Sequence, residues 1–487
     1  MARDSQPREL VLSLISHTNV GKTALARTLL RRDVGEVADS AHVTTVPEAF
    51  PLLEKEGRVA RLWDTPGFGS NLAKLAKRLR SNDNPIGWLL HQVWDRGTDK
   101  SLWCSQEAIR NVQAESDIVL YLVDASQSPS SVKYVDLEIE VIEWIGKPVL
   151  VFLNQTGQRD PERERLNELE WRAHLSRFDI VKNVDTLDAF TRCWTEEHHI
   201  LEKAVEVLEG EKMKSAKVLR DAWIERSLET FDKAIEGMAK WAEFALSDTE
   251  PLPKKGIADQ IFQLLNRSEH NEELDRIQSE MYERLAEKTS TTVNDLIALY
   301  GLDGETAAEL EKASKGEFAV KRDVEEPLAA TLGGVVSGLV GGLSADLMSG
   351  GMTFGGGTIV GMLLGGATTY ALARGYNLTQ TGQNMVRWSE AHFLTQIQFL
   401  TMLYLAISHY GRGRGIWQDP VNNPTHWQEV LQQQLNEESD TWSKLWKKGG
   451  INSDRGTLPK PLKKALRQLL VRVFSQLYPE SKEMFRR

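Results

Sequence analysis

Residues 16–23, "SHTNVGKT", decide the fold of the N-terminal part of this chain. They end like the phosphate-binding pattern G-x-x-x-x-G-K-[ST], but Ser16 stands where that pattern has its first glycine. An apolar run at residues 10–16, "LVLSLIS", precedes them, and a helical pattern follows. A strand, a tight turn and Gly-Lys-Thr at a helix start form the context that a phosphate-binding loop requires. The stretch therefore predicts a nucleotide site instead of an ordinary helix start.

The residue types in this loop match the chemistry of a phosphate cradle. A helix N-terminus offers N–H groups and the positive end of the helix dipole to an anion. Lys22 would reach the β- and γ-phosphates, and the Thr23 hydroxyl would ligate Mg²⁺. The predicted cradle is completed by the backbone around Val20, Gly21 and Ala24.

Two further motifs follow in the order that such a site needs. In "WDTPG", residues 63–67, Asp64 would hold magnesium through water and the Gly67 N–H would sense the γ-phosphate. A simple turn after a strand explains the Pro-Gly pair but not the position of the acid. Between the loop and this motif lies Thr44-Thr45, and we expect Thr45 to ligate Mg²⁺ when a triphosphate is bound. That expectation depends on order and spacing alone.

Apolar runs at residues 10–16, 58–64, 117–124 and 148–154 predict the strands of a parallel α/β sheet. Each run ends on a polar residue, which in such sheets lies at the ligand-facing carboxyl edge. The last run leads into "FLNQTG", where Asn154 is predicted to support the base and the loop, with Gln155 beside it.

The order of these motifs resembles a known family, the Era/TrmE-like branch of bacterial P-loop GTPases in the translation-factor-related class. "TNVGKT" here is similar to "PNVGKS" in that branch, and the threonine pair and DTPG lie at closely similar spacing. The resemblance covers residues 1–195, and the rest of the chain resembles an uncharacterised helical, glycine-rich domain of some bacterial members. It implies hydrolysis of GTP to GDP and phosphate with Mg²⁺, with Lys22, Thr45 and Gly67 as catalytic residues, and a homodimer through the G domain.

Base recognition departs from the family pattern. The usual N-K-x-D is "NQTG" at residues 154–157, so that Gly157 stands where the base-reading aspartate would be. Its absence removes a main source of discrimination between guanine and adenine; Asp160 is a candidate replacement. For the last base-binding motif the candidate is Ala189 in "LDAF", although "VDT" just before it competes. The guanine preference is therefore implied by the resemblance and not by these residues.

Catalysis departs from the Ras-type pattern as well. There a glutamine after D-x-x-G positions the attacking water, whereas Phe68 here cannot bond a water, so we expect slow intrinsic hydrolysis. Asn19 has two interpretations. The resemblance implies that an asparagine at this position helps to bind K⁺, whose charge stabilises the transition state; otherwise Asn19 only shapes the turn.

A glycine-rich stretch interrupts the helical C-terminal part. Residues 328–345 and 347–373 carry no charge, and Asp346 separates them. Each run is long enough to span a bilayer, and glycines at a spacing of four favour close helix pairing. The alternative is a tightly packed helical hairpin inside a soluble domain.

The C-terminal end is basic. Residues 444–487 hold twelve Lys or Arg and three acids. With Trp442 and Trp446, this pattern is typical of an amphipathic segment on an anionic membrane surface. The solvated face of a packed terminal helix would give the same pattern.

Composition limits the remaining possibilities. The formal charge of −10 argues against a general nucleic-acid binder. Two cysteines without metal spacing suit a reducing compartment. The first residues, "MARDSQPREL", lack the apolar stretch of a signal peptide. We therefore expect a cytoplasmic protein, with the inner membrane as a candidate surface for peripheral contact.

The predicted architecture is an α/β G domain with a parallel sheet, followed by a mostly α-helical region with a glycine-rich hydrophobic hairpin. The expected bounds are 1–195, 196–326, 327–375 and 376–487. The predicted function is a nucleotide-dependent switch that controls contact with a membrane or a partner protein. The alternatives are a dynamin-like membrane-remodelling GTPase, a ribosome- or RNA-associated assembly GTPase, and a scaffold that binds nucleotide without hydrolysing it.

Overall fold

Two compact units divide the chain in the computed structural model. The first holds Met1–Ser227 and His409–Ile416, and the second holds Leu228–Ser408 and Trp417–Arg487. The domain bounds expected from the sequence stay a prediction. The structure describes residues 8–31, 34, 46–69, 72, 76, 77, 80, 87, 100–154, 161–187, 193–251, 272–301, 372–375, 385–409, 425–449 and 458–486.

A six-stranded sheet forms the centre of the first unit, in the order β2-β3-β1-β4-β5-β6. Strand β2 is antiparallel to β3, and the other neighbours are parallel, which confirms the predicted α/β class. The strands are β1 (Glu9–Ser16), β2 (Glu48–Lys55), β3 (Arg58–Asp64), β4 (Ile118–Asp124), β5 (Val149–Asn154) and β6 (Val181–Thr186).

Helices cover the two faces of this sheet. They are α1 (Lys22–Leu30), α2 (Lys100–Glu115), α3 (Lys133–Ile145), α4 (Pro161–Leu175), α5 (His199–Val207) and the first part of α6 (Gly210–Ser247).

Strand β4 shows why the central sequence runs are apolar throughout. Its side chains alternate between two cores, as strand geometry requires. Val119, Tyr121 and Val123 join the core beneath α2, α3 and α4, and the residues between them join the core beneath α1, α5 and α6. A strand covered on both faces has no polar side, so it reads as one continuous apolar run.

The second unit is mostly helical. It contains the last part of α6, then α7 (Glu272–Leu299), α8 (Glu390–Ser408), α9 (Thr425–Glu437), α10 (Ser439–Lys448) and α11 (Pro459–Leu477). It also contains a three-stranded antiparallel sheet in the order β7-β9-β8, made of β7 (Thr249–Pro251), β8 (Leu372–Gly375) and β9 (Met385–Trp388). The sequence pattern predicted a mostly helical region and none of these three strands, because strands this short carry no measurable alternation.

The basic C-terminal segment is packed into this unit. Helix α11 buries its apolar face, and Trp442 of α10 is fully buried. On α11, Lys463 and Arg467 form ion pairs with Glu236 and Asp232 of α6. The described part of this segment thus agrees with the alternative of a packed helix, and its exposed basic side chains, among them Lys447, Lys448 and Lys464, remain open to a charged surface.

None of the helices within the described ranges is both long and apolar enough to cross a membrane. The predicted glycine-rich hairpin, at residues 327–375, lies outside the described residues except for its last four. Those four form β8 and not the end of a helix.

A buried hydrogen bond in the second unit gives a stability prediction. Trp241 Nε1 donates to Thr289 Oγ1 at 2.9 Å, and both residues are fully buried. Thr289→Val keeps the shape but leaves the indole N–H without its acceptor, so we expect a loss of about 1–3 kcal/mol in the free energy of unfolding. Thr291→Val is the matched control. Like Thr289, Thr291 donates from Oγ1 to a carbonyl one turn earlier in its own helix, here that of Glu287, but Thr291 is exposed. Urea unfolding followed by circular dichroism measures both; equal stability of the two variants would contradict the prediction.

Candidate nucleotide-binding site

Polar residues from four strands meet at one edge of the six-stranded sheet. Strand β1 ends at Ser16, and the parallel register pairs Leu14 with Asp64 of β3. On the other side, Asp124 at the end of β4 is paired with Asn154 at the end of β5. Because carboxyl ends of parallel strands share an edge, the loop after β1 lies among these side chains.

The loop after β1 uses two left-handed residues to turn into α1. Asn19 has φ 65° and Gly21 has φ 100°. Gly21 is the N-cap of α1, and Leu25 N donates the first helical hydrogen bond to its carbonyl at 2.9 Å. A glycine has no side chain to cap the helix, and no side-chain cap bond is formed at Gly21. A helix start of this kind offers N–H donors and the positive end of the helix dipole to an anion.

Lys22 lies folded inside this loop. Its Nζ donates to Ser16 Oγ at 3.0 Å and to the His17 carbonyl at 3.3 Å. Burial lowers the pKa of Lys22, while the charges of Asp64 and Glu138 oppose that shift. Ser16 therefore replaces the usual glycine with a hydroxyl that holds the lysine, and its own hydrogen bond runs to the His17 carbonyl at 2.6 Å.

Thr23 and Asp64 form a pair of oxygen donors beside the lysine. Thr23 Oγ1 donates to Asp64 Oδ2 at 2.7 Å, and Asp64 is almost fully buried. A hydroxyl and a carboxylate are ligands that Mg²⁺ accepts, directly or through water. The donor set therefore fits the metal that the sequence predicts here.

Asn154 fastens the loop from the neighbouring strand. Its side chain is fully buried, and Nδ2 donates to the Val20 carbonyl at 2.6 Å. A Cβ atom at Gly21 would lie only 2.7 Å from the same Nδ2. The position of the Asn154 side chain therefore requires a residue without a Cβ atom at position 21. Ala24, one turn further, is buried under the loop on α1.

The DTPG segment is tied to the same loop. A Cβ atom at Gly67 would lie 3.0 Å from Lys22 Nζ and 2.9 Å from Thr18 Cα, so glycine permits this close approach. Phe68 N donates to the Ser16 carbonyl at 2.9 Å, and Thr18 N donates to the Phe68 carbonyl at 3.2 Å. The Phe68 ring is fully buried in the core.

Several predicted residues lie outside the described part of the chain, and their roles stay predictions. They are Thr44, Thr45, Gln155, Gly157, Asp160 and Ala189. Among the described residues, the structure brings together Asn19, Val20, Gly21, Lys22, Thr23, Ala24, Asp64, Gly67 and Asn154.

Sequence reasoning missed one group next to the loop. Glu138 of α3 is fully buried; its Oε1 lies 2.7 Å from His17 Nδ1, and its Oε2 accepts from Tyr121 at 2.6 Å. The available signal was an acid on the apolar face of α3, between Val135 and Ile142.

The turn geometry predicts unequal costs for two glycine substitutions. Gly21→Ala forces an alanine to φ 100° and against Asn154, whereas Gly146→Ala meets φ 74° with nothing within 4 Å of its Cβ. We expect Gly146→Ala to lower the free energy of unfolding by about 1 kcal/mol. Gly21→Ala should lower it clearly more, because the clash with Asn154 adds to the backbone strain. Differential scanning calorimetry measures both, and a smaller loss for Gly21→Ala would refute the close approach.

Comparison with protein families gives two matches. Residues 12–155 match a model described as "50S ribosome-binding GTPase". Residues 172–472, more than half of the chain, match "Domain of unknown function (DUF3482)". A comparison with curated proteins gave no significant match.

The solved structures that match this chain are only distantly similar to it. Era in complex with MgGDPNP and part of 16S ribosomal RNA is 17% identical, with 37% of this chain and 51% of that chain covered and a TM-score of 0.27. An Aquifex aeolicus Era variant bound to GDP and aluminium fluoride is 14% identical, with 57% and 88% covered and a TM-score of 0.28. A probable GTP-binding protein, engB, is 16% identical, with 40% and 97% covered and a TM-score of 0.24.

This chain thus spans about half of the first of these structures. At such identities and TM-scores the likenesses say nothing about its activity. The family matches, together with the loop at the carboxyl edge of the sheet, lead to one conclusion: the chain belongs to the DUF3482 family and carries a P-loop GTPase domain in its N-terminal part.

Proposed function

We propose that this protein binds GTP with Mg²⁺ and hydrolyses it to GDP and phosphate, and that the nucleotide state controls contacts of the helical region. The observation that carries the proposal is the meeting of Lys22 with the Thr23–Asp64 pair at the mouth of the β1 loop, where Thr23 Oγ1 and Asp64 Oδ2 lie 2.7 Å apart. An ammonium and two oxygen donors beside a helix N-terminus suit a magnesium triphosphate.

Each residue has a role in the proposed complex. Lys22 leaves Ser16 and the His17 carbonyl to bind the β- and γ-phosphates. Thr23 and Asp64 would hold Mg²⁺, which GTPases of this family generally use, and Thr45 would join them. When bound, the metal supplies positive charge at the phosphate oxygens.

Other residues of the site would contact the base and the γ-phosphate of the nucleotide. Asn154, Gln155 and Ala189 support the base, and the family match supports guanine as its identity. The N–H of Gly67 senses the γ-phosphate. Because the DTPG segment is hydrogen-bonded to the loop through Phe68, loss of that phosphate would loosen both together, the order-to-disorder switch known in GTPases.

We propose a slow intrinsic rate of hydrolysis. The Phe68 ring is buried in the core and has no group that could orient a water. Catalysis then requires charge from elsewhere, and K⁺ held with the help of Asn19 would supply it. The left-handed conformation of Asn19, φ 65°, also supports the alternative that this residue only shapes the turn.

The helical region is proposed to convert the nucleotide state into contact with a partner protein or a membrane surface. Helix α6 supports this, because it belongs to both compact units: its residues up to Ser227 lie in the first and the following ones in the second. Exposed lysines on α10 and α11, such as Lys447, Lys448 and Lys464, suit an acidic surface.

Loss of Lys22 tests the site. Lys22→Ala removes the ammonium that faces the phosphates, and we expect at least about a 100-fold loss of affinity for GTP, or about 2.7 kcal/mol. Lys147→Ala is the control, since Lys147 precedes β5 at the opposite edge of the sheet. Titration with a fluorescent GTP analogue measures both; tight binding by Lys22→Ala would refute the assignment of the site.

The role of Asn19 is tested by Asn19→Gly. Glycine adopts the left-handed conformation of this turn freely but has no side-chain amide oxygen. If the amide helps to hold K⁺, the wild type should release phosphate from GTP faster in potassium than in sodium buffer, by about tenfold or more. Asn19→Gly should lose that difference. Equal stimulation of the variant and the wild type would show that Asn19 only shapes the turn.

A further inference from the structure

A fully buried carboxylate lies behind the phosphate-binding loop. Both oxygens of Glu138 are engaged: Oε1 with His17 Nδ1 at 2.7 Å and Oε2 with the Tyr121 hydroxyl at 2.6 Å. Burial raises the pKa of Tyr121 well above its ordinary value, and the charge of Glu138 adds to that shift. The phenol therefore keeps its proton and donates a hydrogen bond to the carboxylate.

Burying this carboxylate lowers the stability of the fold, because its charge loses its hydration. It lies on the buried face of α3 with Val135, Ile139 and Ile142, where an apolar side chain would pack without desolvating a charge. Burial raises the pKa of Glu138, and its bonds to His17 and Tyr121 and the charge of Lys22 oppose the shift. A buried charge that core packing does not need requires another reason, and its partner His17 lies in the loop.

His17 connects the carboxylate to the residues that receive phosphate. Its ring stacks on Tyr134 with a centroid distance of 4.3 Å, and its side chain is 25% exposed. Its carbonyl accepts from Lys22 Nζ and from Ser16 Oγ. Its backbone also forms a bridge with Phe68 after the DTPG motif. Holding the imidazole therefore fixes the peptide on which both Lys22 and Phe68 depend.

We propose that Glu138 and Tyr121 are positioning residues for nucleotide binding, which hold His17 and thereby keep the loop in the conformation that accepts the phosphates. The inference rests on the proposed function of the site. It explains how the loop keeps its conformation although Ser16 replaces its first glycine. Glu138 of α3, supported by Tyr121 of β4, holds the His17 side chain on the core side of the loop.

The same helix provides a matched control. Asp136 of α3 lies 2.8 Å from His174 Nε2 and forms a second histidine–carboxylate pair, which is partly exposed and also includes an ion pair with Arg177. His174 belongs to α4, away from the loop. If such pairs only fasten helices to the fold, disruption of either pair should affect stability alone.

The experiment measures the affinity for a fluorescent GDP analogue in the full chain, with the melting temperature of each nucleotide-free variant. We expect Glu138→Ala and His17→Ala each to weaken binding by about tenfold, equivalent to about 1.4 kcal/mol. Glu138→Gln can keep both contacts, with its amide oxygen accepting from Tyr121 and its amide nitrogen donating to Nδ1 of a neutral His17, and should recover affinity to within about threefold of the wild type. The double variant should be no weaker than the weaker single one, because both changes break one connection. Asp136→Ala should bind within about twofold of the wild type.

Each outcome decides the proposal. Folded Glu138→Ala with wild-type affinity would overturn it, and so would additive losses in the double variant. A loss in Glu138→Gln as large as in Glu138→Ala would assign the effect to charge and overturn positioning. If Glu138→Ala does not fold, Tyr121→Phe and His17→Ala replace it, the latter at a partly exposed residue. Wild-type affinity in both folded variants would then overturn the proposal. A wild-type protein that binds no guanine nucleotide would overturn the proposed function itself, and this inference with it.

Discussion

Parallel pairing of β1 with β3 on one side and with β4 on the other is the constraint on which the site depends. It brings the ends of strands that are far apart in sequence to one edge, so that Asp64 and Asn154 both reach the turn after Ser16. Neither residue would face that turn if β1 were antiparallel. The two apolar cores hold this register, since a shift by one residue would exchange the two faces of β4.

The turn itself is held from several directions. Asn154 fixes the Val20 carbonyl from β5, and Phe68 pairs with Ser16 and Thr18 from the DTPG side. Glu138 holds His17 from α3. Within this frame Lys22 is buried, which disfavours its charge, and the negative charges of Asp64 and Glu138 offset that cost. In the proposed complex Lys22 turns to a phosphate, and the loop then depends on this support because the hydrogen bonds that Lys22 makes within it are lost.

The sequence predicted the parts of this arrangement that follow from local pattern. Strands β4 and β5 were visible because burial on both faces makes them apolar throughout. The edge strands β2 and β6 were not, since one carries Pro51 at an irregular register and the other is mostly polar. Lys22, Thr23 and Asp64 were found because the phosphate-loop pattern fixes their order. Glu138 could not be found from motifs: an acid on a helix usually faces water, and its partner His17 is 121 residues away.

We propose that this loop serves a guanine nucleotide although Gly157 replaces the base-reading aspartate. The most direct test is isothermal titration calorimetry of the wild-type protein with GDP and with ADP, in the presence of Mg²⁺. We expect GDP to bind at least about 100-fold more tightly than ADP, a difference of about 2.7 kcal/mol in binding free energy. Equal affinities for the two nucleotides would contradict it.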